Sequence, residues 1–324
     1  MPNPDLLIRP YLLREALSST RIDGTRAEMA DVFEADAGAE NPSADVEEVV
    51  NYIGAMEWGL NRLEQLALST RLVCEMHGRL LDGVRGRDVA PGEMRTSQNW
   101  IGAPGSTIDT AQFVPPPPAE LPALLADWEL FAHEEPEVPL LIQNALLHSQ
   151  FETIRPFLDG NGRLGRLLLI FFLVMRGRLG APLLYLSAHL ERNRLDYYEA
   201  LQAIREAGDP IPWIDLFLTA VESQADDAVH RAHQIIDVRE DYLRAAVALG
   251  TPNALPLVEL ICENPIVTTR SIENRLDVSR PTALRLLRRM EEQGVLSETG
   301  SGARGQRRYL AQAMMEAVAG GERP

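Results

Sequence analysis

Twelve residues, Arg155-Pro156-Phe157-Leu158-Asp159-Gly160-Asn161-Gly162-Arg163-Leu164-Gly165-Arg166, gather three glycines, one carboxylate, one amide and three arginines. Apolar helical stretches flank them, "NALLHSQFETI" with its continuation before and "RLLLIFFLVM" after, so the glycines lie at a helix N-terminus. Such an end carries unpaired N–H groups and a partial positive charge, which favour phosphate. Gly160, Gly162 and Gly165 let the backbone come close to an anion and take positive φ. Arg163 and Arg166, three apart, project from the first helical turn and can fork onto phosphate oxygens. Asp159 is the carboxylate that, beside two phosphates, suits Mg²⁺, and Asn161 supplies an amide donor. The chemistry implied is phosphate binding; the competing reading is a glycine-rich helix start whose arginine pair is structural.

A chain of 324 residues suits two or three domains, and its 45% apolar and 24% charged content is ordinary for a globular protein. The longest apolar run, Leu167 to Met175, is too short for a membrane span and reads as a buried core helix. The N-terminus lacks the basic-then-apolar pattern of a secretory signal, and Cys74 and Cys262 stand far apart, so a cytoplasmic protein with free thiols and no membrane partner is expected. A net charge of -16 argues against a nucleic-acid coat, yet the sign is uneven. Nine acids and no base lie between Arg26 and Arg62, whereas nine Arg face five acids from Pro265 to Leu310. Every basic residue is Arg.

Residues 1–90 read as a helical region; Val49, Ile53, Met56, Leu60 and Leu63 step by three and four along one face. Residues 93–118 change character, with β-like pieces around a Gly/Pro/Ser turn and a closing four-proline run, and suggest a hairpin flap. Helical patterns resume through the core, 91–235, interrupted by the loop at 155–166. An acidic, helical connector (roughly 220–250) ends at Gly250-Thr251-Pro252, with the linker placed at 236–252 and a small domain at 253–315.

"RPFLDGNGRLGR" resembles the signature of the Fic (Fic/Doc) family, His-Pro-Phe-x-Asp-Gly-Asn-Gly-Arg-x-x-Arg, at every specified position but the first. "DVEEVVNYIGAMEWGL", "RTSQNWIG…FVPPPP" and "LYLSAHLERNRLDYYEALQAIREAGDPIPWIDLFL" resemble the segments flanking that signature, so the likeness covers roughly residues 10–240. It implies a mainly α, Fic-type helical bundle with a small β-hairpin flap. It also implies that ATP and Mg²⁺ bind the loop, and that AMP passes to a Ser, Thr or Tyr hydroxyl of a protein, the chain itself included. On this chain the likeness assigns Mg²⁺ to Asp159, the phosphate cradle to Gly160, Asn161 and Gly162, and the clamp to Arg163 and Arg166. It assigns target docking by strand addition to Asn99, Trp100, Ile101 and Gly102, and the adenine and ribose pocket to Asn193, Tyr197 and Tyr198.

Arg155 stands where the family has its general base. A guanidinium has a pKa above about 12 and no acceptor lone pair, so it cannot take a proton from a hydroxyl. Arg155 can instead add a third cation for the nucleotide, or orient a nucleophile that is already anionic. His148, seven residues earlier, lies about 10 Å back along a helix and reads as a packing histidine. His230 and His233 read as a solvated helix face. A second family marker lies at 19–24: Ser19, Asp23 and Gly24 fit a regulatory helix of the form Ser/Thr-x-x-x-Glu-Gly/Asn, with Asp in place of Glu. Its carboxylate competes with the γ-phosphate for the second clamp Arg; the plain alternative is a helix end.

The C-terminal stretch resembles a winged helix-turn-helix, with helices near 257–263, from Thr269 to Leu276, and from Ser279 to Gly294, then a β-wing. Thr282 and Arg285 are the candidates for the DNA major groove, and Arg304, Arg307 and Arg308 for phosphates. A winged helix serving protein contact or a homodimer is the alternative. Three readings follow: an autoinhibited, attenuated Fic-type nucleotidyltransferase; an inactive nucleotide-binding regulator with a DNA-binding output; or a Fic fold with altered chemistry on an anionic nucleophile.

Overall fold

The computed structural model describes residues 5–38, 41–84, 90–103, 105–301 and 307–320. Its helices run α1 (Asp5–Ile22), α2 (Met29–Asp36), α3 (Ala44–Leu63), α4 (Thr70–Leu80), α5 (Leu121–His133), α6 (Leu140–Ile154), α7 (Asn161–Met175), α8 (Ser187–Arg192), α9 (Arg194–Ala207) and α10 (Ile211–Val247). Then follow α11 (Ala254–Glu263), β1 (Ile266–Thr268), α12 (Thr269–Leu276), α13 (Arg280–Glu292), β2 (Ser297–Ser301), β3 (Arg307–Leu310) and α14 (Gln312–Ala319). Two compact units result, and neither is continuous in sequence. One comprises Ser18–Thr25 and Glu47–Gln224; the other comprises Met1–Leu17, Arg26–Val46 and Ala225–Pro324. The division therefore departs from the expected 1–90, 91–235 and 253–315 blocks.

The loop-bearing unit is built on α6 and α7. The apolar run of α7 is buried from Leu167 to Leu173, as a core helix must be. Tyr197, Leu201, Trp213 and Phe217 pack with Ala145, Leu169 and Leu190. Burying each large side chain contributes on the order of 1.5–3 kcal/mol. Two indoles fix α6 from its flanks: Trp128 Nε1 donates to Leu147 O at 2.9 Å and Trp213 Nε1 to Ala145 O at 2.7 Å. Gly165 lets α7 approach α6, since a Cβ there would lie 2.8 Å from Glu152 Oε1 and 3.3 Å from Phe151. The β-like pieces expected at 93–118 reduce to one antiparallel bridge, Ile101 with Phe113.

In the other unit, β1, β3 and β2 form an antiparallel sheet in that order, with Val267 and Glu298 both opposite Tyr309. Asn264 ties α2 to it, donating to Phe33 O (2.9 Å) and Asp36 Oδ2 (3.1 Å) while accepting from Ile266 N (2.8 Å). This contact draws residues 26–46 out of the expected N-terminal block. The cap of α12 is Thr268, not the expected Thr269: its hydroxyl accepts from Ser271 N and the Ser271 hydroxyl accepts from Thr268 N. Ser279 precedes α13 without a side-chain cap bond. The helix closes at Gly294 (φ 74°), with Val295 N on Met290 O and Gly294 N on Glu291 O, a Schellman ending. The acidic connector runs as helix as far as Val247, because Ile235, Tyr242 and Ala246 bury one face of α10 at helical spacing.

Candidate functional site

The loop enters from α6 through a left-handed residue: Arg155 has φ 45° and ψ 68° and caps the helix. Arg95 fixes that turn. Its N–H donates to Pro156 O (2.9 Å), and its guanidinium donates to Arg155 O (2.8 Å), Ile154 O (3.4 Å) and Pro116 O (2.5 Å). Asn161 closes the loop, accepting from Phe157 N at 3.0 Å and donating to Phe157 O at 2.8 Å. The Asn161 side chain is thus anchored to the loop's own backbone through Oδ1 and one of its two N–H donors. Asn99, expected at the docking flap, donates to Phe157 O at 2.9 Å and so anchors the flap to the loop. Trp100 Nε1 holds Ser106 O at 3.1 Å, Ile101 makes the flap's bridge to Phe113, and Gly102 follows it.

His77 lies under the loop. Gly92 N donates to its Nδ1 at 2.8 Å, so Nδ1 is an acceptor and Nε2 must carry the hydrogen given to Asp159 O at 3.0 Å. The ring stacks on Phe157 at 3.8 Å, nearly parallel. Burial lowers its pKa to about 4, so it is a neutral fixture and no proton acceptor. Gly160 needs its φ of 74°, and its Cβ position lies 3.4 Å from His77 Nε2. Among these contacts Asp159 keeps an exposed side chain, with Oδ1 on Gly160 N at 2.7 Å.

Both clamp arginines already hold carboxylates. Arg166 is buried; its Nε donates to Ser19 Oγ (2.8 Å), and one terminal nitrogen donates to Ser19 O (2.7 Å) and Asp23 Oδ2 (2.9 Å). Burial is the largest influence and works against that charge, but Asp23 with Tyr197, Tyr198 and Tyr52 together outweigh it and hold the guanidinium above its usual range. Asp23 therefore reaches Arg166 despite its missing methylene. The reason is the end of α1: Thr25 N donates to Thr20 O and Gly24 N to Arg21 O around Gly24 at φ 101°, a Schellman turn with Asp23 as its last residue. Gly162 makes room, since a Cβ there would lie 3.2 Å from Asp23 Oδ1 and 3.0 Å from Arg166. Arg163 sits among three carboxylates, Glu48 Oε2 at 3.4 Å and Asp23 and Asp159 Oδ2 each at 3.7 Å. Two arginines face three carboxylates, so the cradle as built carries a net negative balance.

The remaining expected positions divide. Tyr198 is exposed and its hydroxyl reaches Ile22 O at 3.4 Å, at the end of α1. Tyr197 is a core residue instead of a pocket wall: it is buried and donates its hydroxyl to His148 Nε2 at 2.8 Å. His148 Nδ1 donates to Gly165 O at 3.1 Å, and burial takes its pKa to about 4, so it too is structural. Asn193 caps α8, its amide donating to His189 O at 2.9 Å. On the other unit, Arg285 and Thr282 are paired on α13 at 3.4 Å, Arg307 pairs with Glu298 at 3.1 Å and Arg308 with Glu34. Arg304 lies outside the described residues.

Fold and site together define a Fic-type helical protein: an anion loop on the N-terminus of a buried central helix, a flap rooted in that loop, and a carboxylate from a preceding helix on its clamp. The Fic/DOC family model matches residues 67–173 and the model for the family's N-terminal region matches residues 1–61; the chain belongs to this family. A Fic family protein from Desulfovibrio desulfuricans superposes with a TM-score of 0.60 at 22% identity, over 96% of this chain and 88% of that one. A Fic domain containing signaling protein from Bacteroides thetaiotaomicron gives 0.56 at 21%, over 71% of this chain and 91% of that one. Among curated proteins, the chain is 36% identical over 96 residues to a "Probable protein adenylyltransferase" of Aquifex aeolicus, over 30% of this chain and 28% of the relative. It is 28% identical over 206 residues to the protein adenylyltransferase Fic of Drosophila grimshawi, over 62% and 39%. The chain thus spans less than two fifths of the length of these relatives.

Sequence reading missed His77, Arg95, Glu48 and Glu152. Each is an ordinary polar residue, more than 45 residues from the loop except Glu152, and only packing brings them to it. For Glu152 a signal was present: an acid three residues before an Arg, with which it pairs at 3.2 Å.

Proposed function

We propose that this chain is a Fic-type nucleotidyltransferase, able to bind ATP with Mg²⁺ and to move AMP to a protein hydroxyl, held autoinhibited by Asp23 and attenuated by Arg155. The observation that carries the reading is the pairing of Arg166 with Ser19 and Asp23, which places a competitor on the donors a phosphate would use. The names of the relatives, protein adenylyltransferases, supply the reaction class.

Gly160 and Gly162 offer main-chain approach to the phosphates, and Arg163 and Arg166 clamp them once their carboxylates yield. No group of three or more candidate metal ligands occurs among the described residues. One exposed carboxylate, Asp159, fits an ion held chiefly by phosphate oxygens, as Mg²⁺ usually is. When bound, Mg²⁺ neutralises phosphate charge and offsets the surplus carboxylate. In the transfer, the target oxygen bonds to the α-phosphorus, the bond to pyrophosphate breaks, and the hydroxyl proton must leave. Arg155 cannot accept it, and both nitrogens of His77 and His148 are engaged. Loss of a general base costs typically 10²–10⁴-fold. That absence also favours the second reading, a nucleotide-binding regulator without transfer.

Incubation with labelled ATP and Mg²⁺ separates them. Arg155→His is expected to raise self-labelling at least about 10²-fold, and Arg155→His with Asp23→Ala further. Labelling by the parent chain that Arg155→His leaves unchanged contradicts the attenuation; no labelling by any variant contradicts the transferase reading. Residues 253–315 we read as a winged helix-turn-helix, supported by their helix–strand–helix–helix–strand–strand order, with DNA as its partner.

A further inference from the structure

Arg155 does not stand alone at the mouth of the loop. Arg95 grips the Arg155 carbonyl at 2.8 Å, Arg155 donates to Glu152 Oε2 at 3.2 Å, and Arg205, on α9, donates to Glu152 O at 3.1 Å. Three guanidiniums therefore gather at the end of α6, two of them on backbone carbonyls and only Arg155 on the Glu152 carboxylate. They border the flap: Arg205 lies over the Phe113 ring at 4.3 Å, and Phe113 is the bridge partner of Ile101. Gln202, one turn before Arg205, donates to Gln112 O at 3.2 Å and seats the same flap strand.

The cluster has unspent capacity. Arg155 is 21% exposed, and among the described residues Glu152 is its side-chain partner through one of five donors. Arg205 Nε is buried without a partner, as is Glu152 Oε1, an acceptor in the same cluster. Burial lowers the pKa of both Arg95 and Arg205; at Arg205 Glu152 offsets part of this and the Arg155 charge adds to it, so three guanidiniums share one carboxylate and are short of counter-charge. An added carboxylate relieves that shortage, and an arginine fork matches it bidentately.

We propose that the segment docked on the flap carries an acidic residue beside its hydroxyl, and that Arg155 with Arg205 selects it. This rests on the flap being the target-docking edge of the transferase reading, and it names the target class: an extended acidic peptide. The overall charge of -16 opposes such a partner, so any preference for acid must come from this local cluster.

Eight-residue fluorescent peptides with a central serine, flanked by Glu, Ala or Lys, test it by anisotropy on the full chain. The Glu peptides are expected to bind about tenfold more tightly than the Ala peptides, and the Lys peptides more weakly still. Arg155→Asn, whose side chain tolerates the left-handed backbone, is expected to cut that preference below about threefold. Arg155→Lys retains part of it. Equal binding of all peptides, no binding of any, or a preference that survives Arg155→Asn with unchanged Tm overturns the proposal. ATP binding measured on the same protein stands apart: its absence counts against the transferase reading, whatever the peptides do.

Discussion

His77 and His148 are buried as neutral rings, each with a hydrogen-bonding pattern that admits one tautomer. Burial takes each pKa from an ordinary 6.5 to about 4. On acidification the unfolded chain takes up these protons near pH 6.5, the folded chain only near 4. Stability is therefore full above about pH 6.5, falls as pH drops through that window and levels off near 4. Each histidine is expected to cost on the order of 2 kcal/mol by pH 5. Thermal unfolding from pH 7.5 to 5 checks this: Tm should fall for the parent and fall less steeply for His77→Gln and His148→Gln. Glu48 gives a second test at this scale. It is a buried carboxylate shared between Arg163 at 3.4 Å and the Thr25 hydroxyl at 3.1 Å. Glu48→Gln keeps the shape and removes the charge. It is expected to raise ATP affinity about 3- to 10-fold, and the gain should persist in Asp23→Ala. Isothermal titration reads both. His148 was legible as a packing histidine, but His77 and Glu48 were not, because an isolated His or Glu in a helix says nothing of what it meets across the core.

At the scale of the element, the end of α1 decides where Asp23 points. Gly24 was legible as a stop, and Asp23 as a competitor for Arg166, because a turn signal and a family pattern fell on the same two residues. Its exact placement was not, since the missing methylene is compensated by the Schellman turn. Gly24→Ala puts a Cβ on a residue at φ 101°, with no atom within 4 Å to clash. The cost is then purely conformational, about 1 kcal/mol. A lowered Tm with a severalfold tighter ATP affinity is the expected pair of outcomes; a lowered Tm alone would separate the turn from the clamp. Tyr197 shows the opposite limit. The family likeness put it near the nucleotide, but an aromatic residue at helical spacing serves the core equally well, and His148 claims its hydroxyl. In α10 the helical character of the acidic connector was legible, but the buried face at Ile235, Tyr242 and Ala246 was not.

Over the whole molecule the unevenness of charge is the property to test. If 253–315 binds DNA, affinity should fall with salt, with a log–log slope of about −3 for three neutralised phosphates. Arg285→Ala, at a groove position, should weaken binding to a preferred site and leave the slope near −3. Arg308 and Arg307 already hold Glu34 and Glu298, so their loss should matter less. No binding to random duplex at 50 mM salt, as read by filter retention or anisotropy, removes DNA from the account.

The surplus of carboxylate around Arg163 and Arg166 bears on concentration as well as on chemistry. A site that must first shed its own counter-ions binds with an apparent affinity equal to the intrinsic one scaled by the fraction of molecules already open. If the Asp23 contact is worth about 2 kcal/mol, roughly 3% of molecules are open, and half-saturation moves up about thirtyfold. On the proposed reading, such a protein stays empty at nucleotide levels that would fill an unguarded loop and responds only when they are high. The ion pair at the end of α1 then sets a threshold.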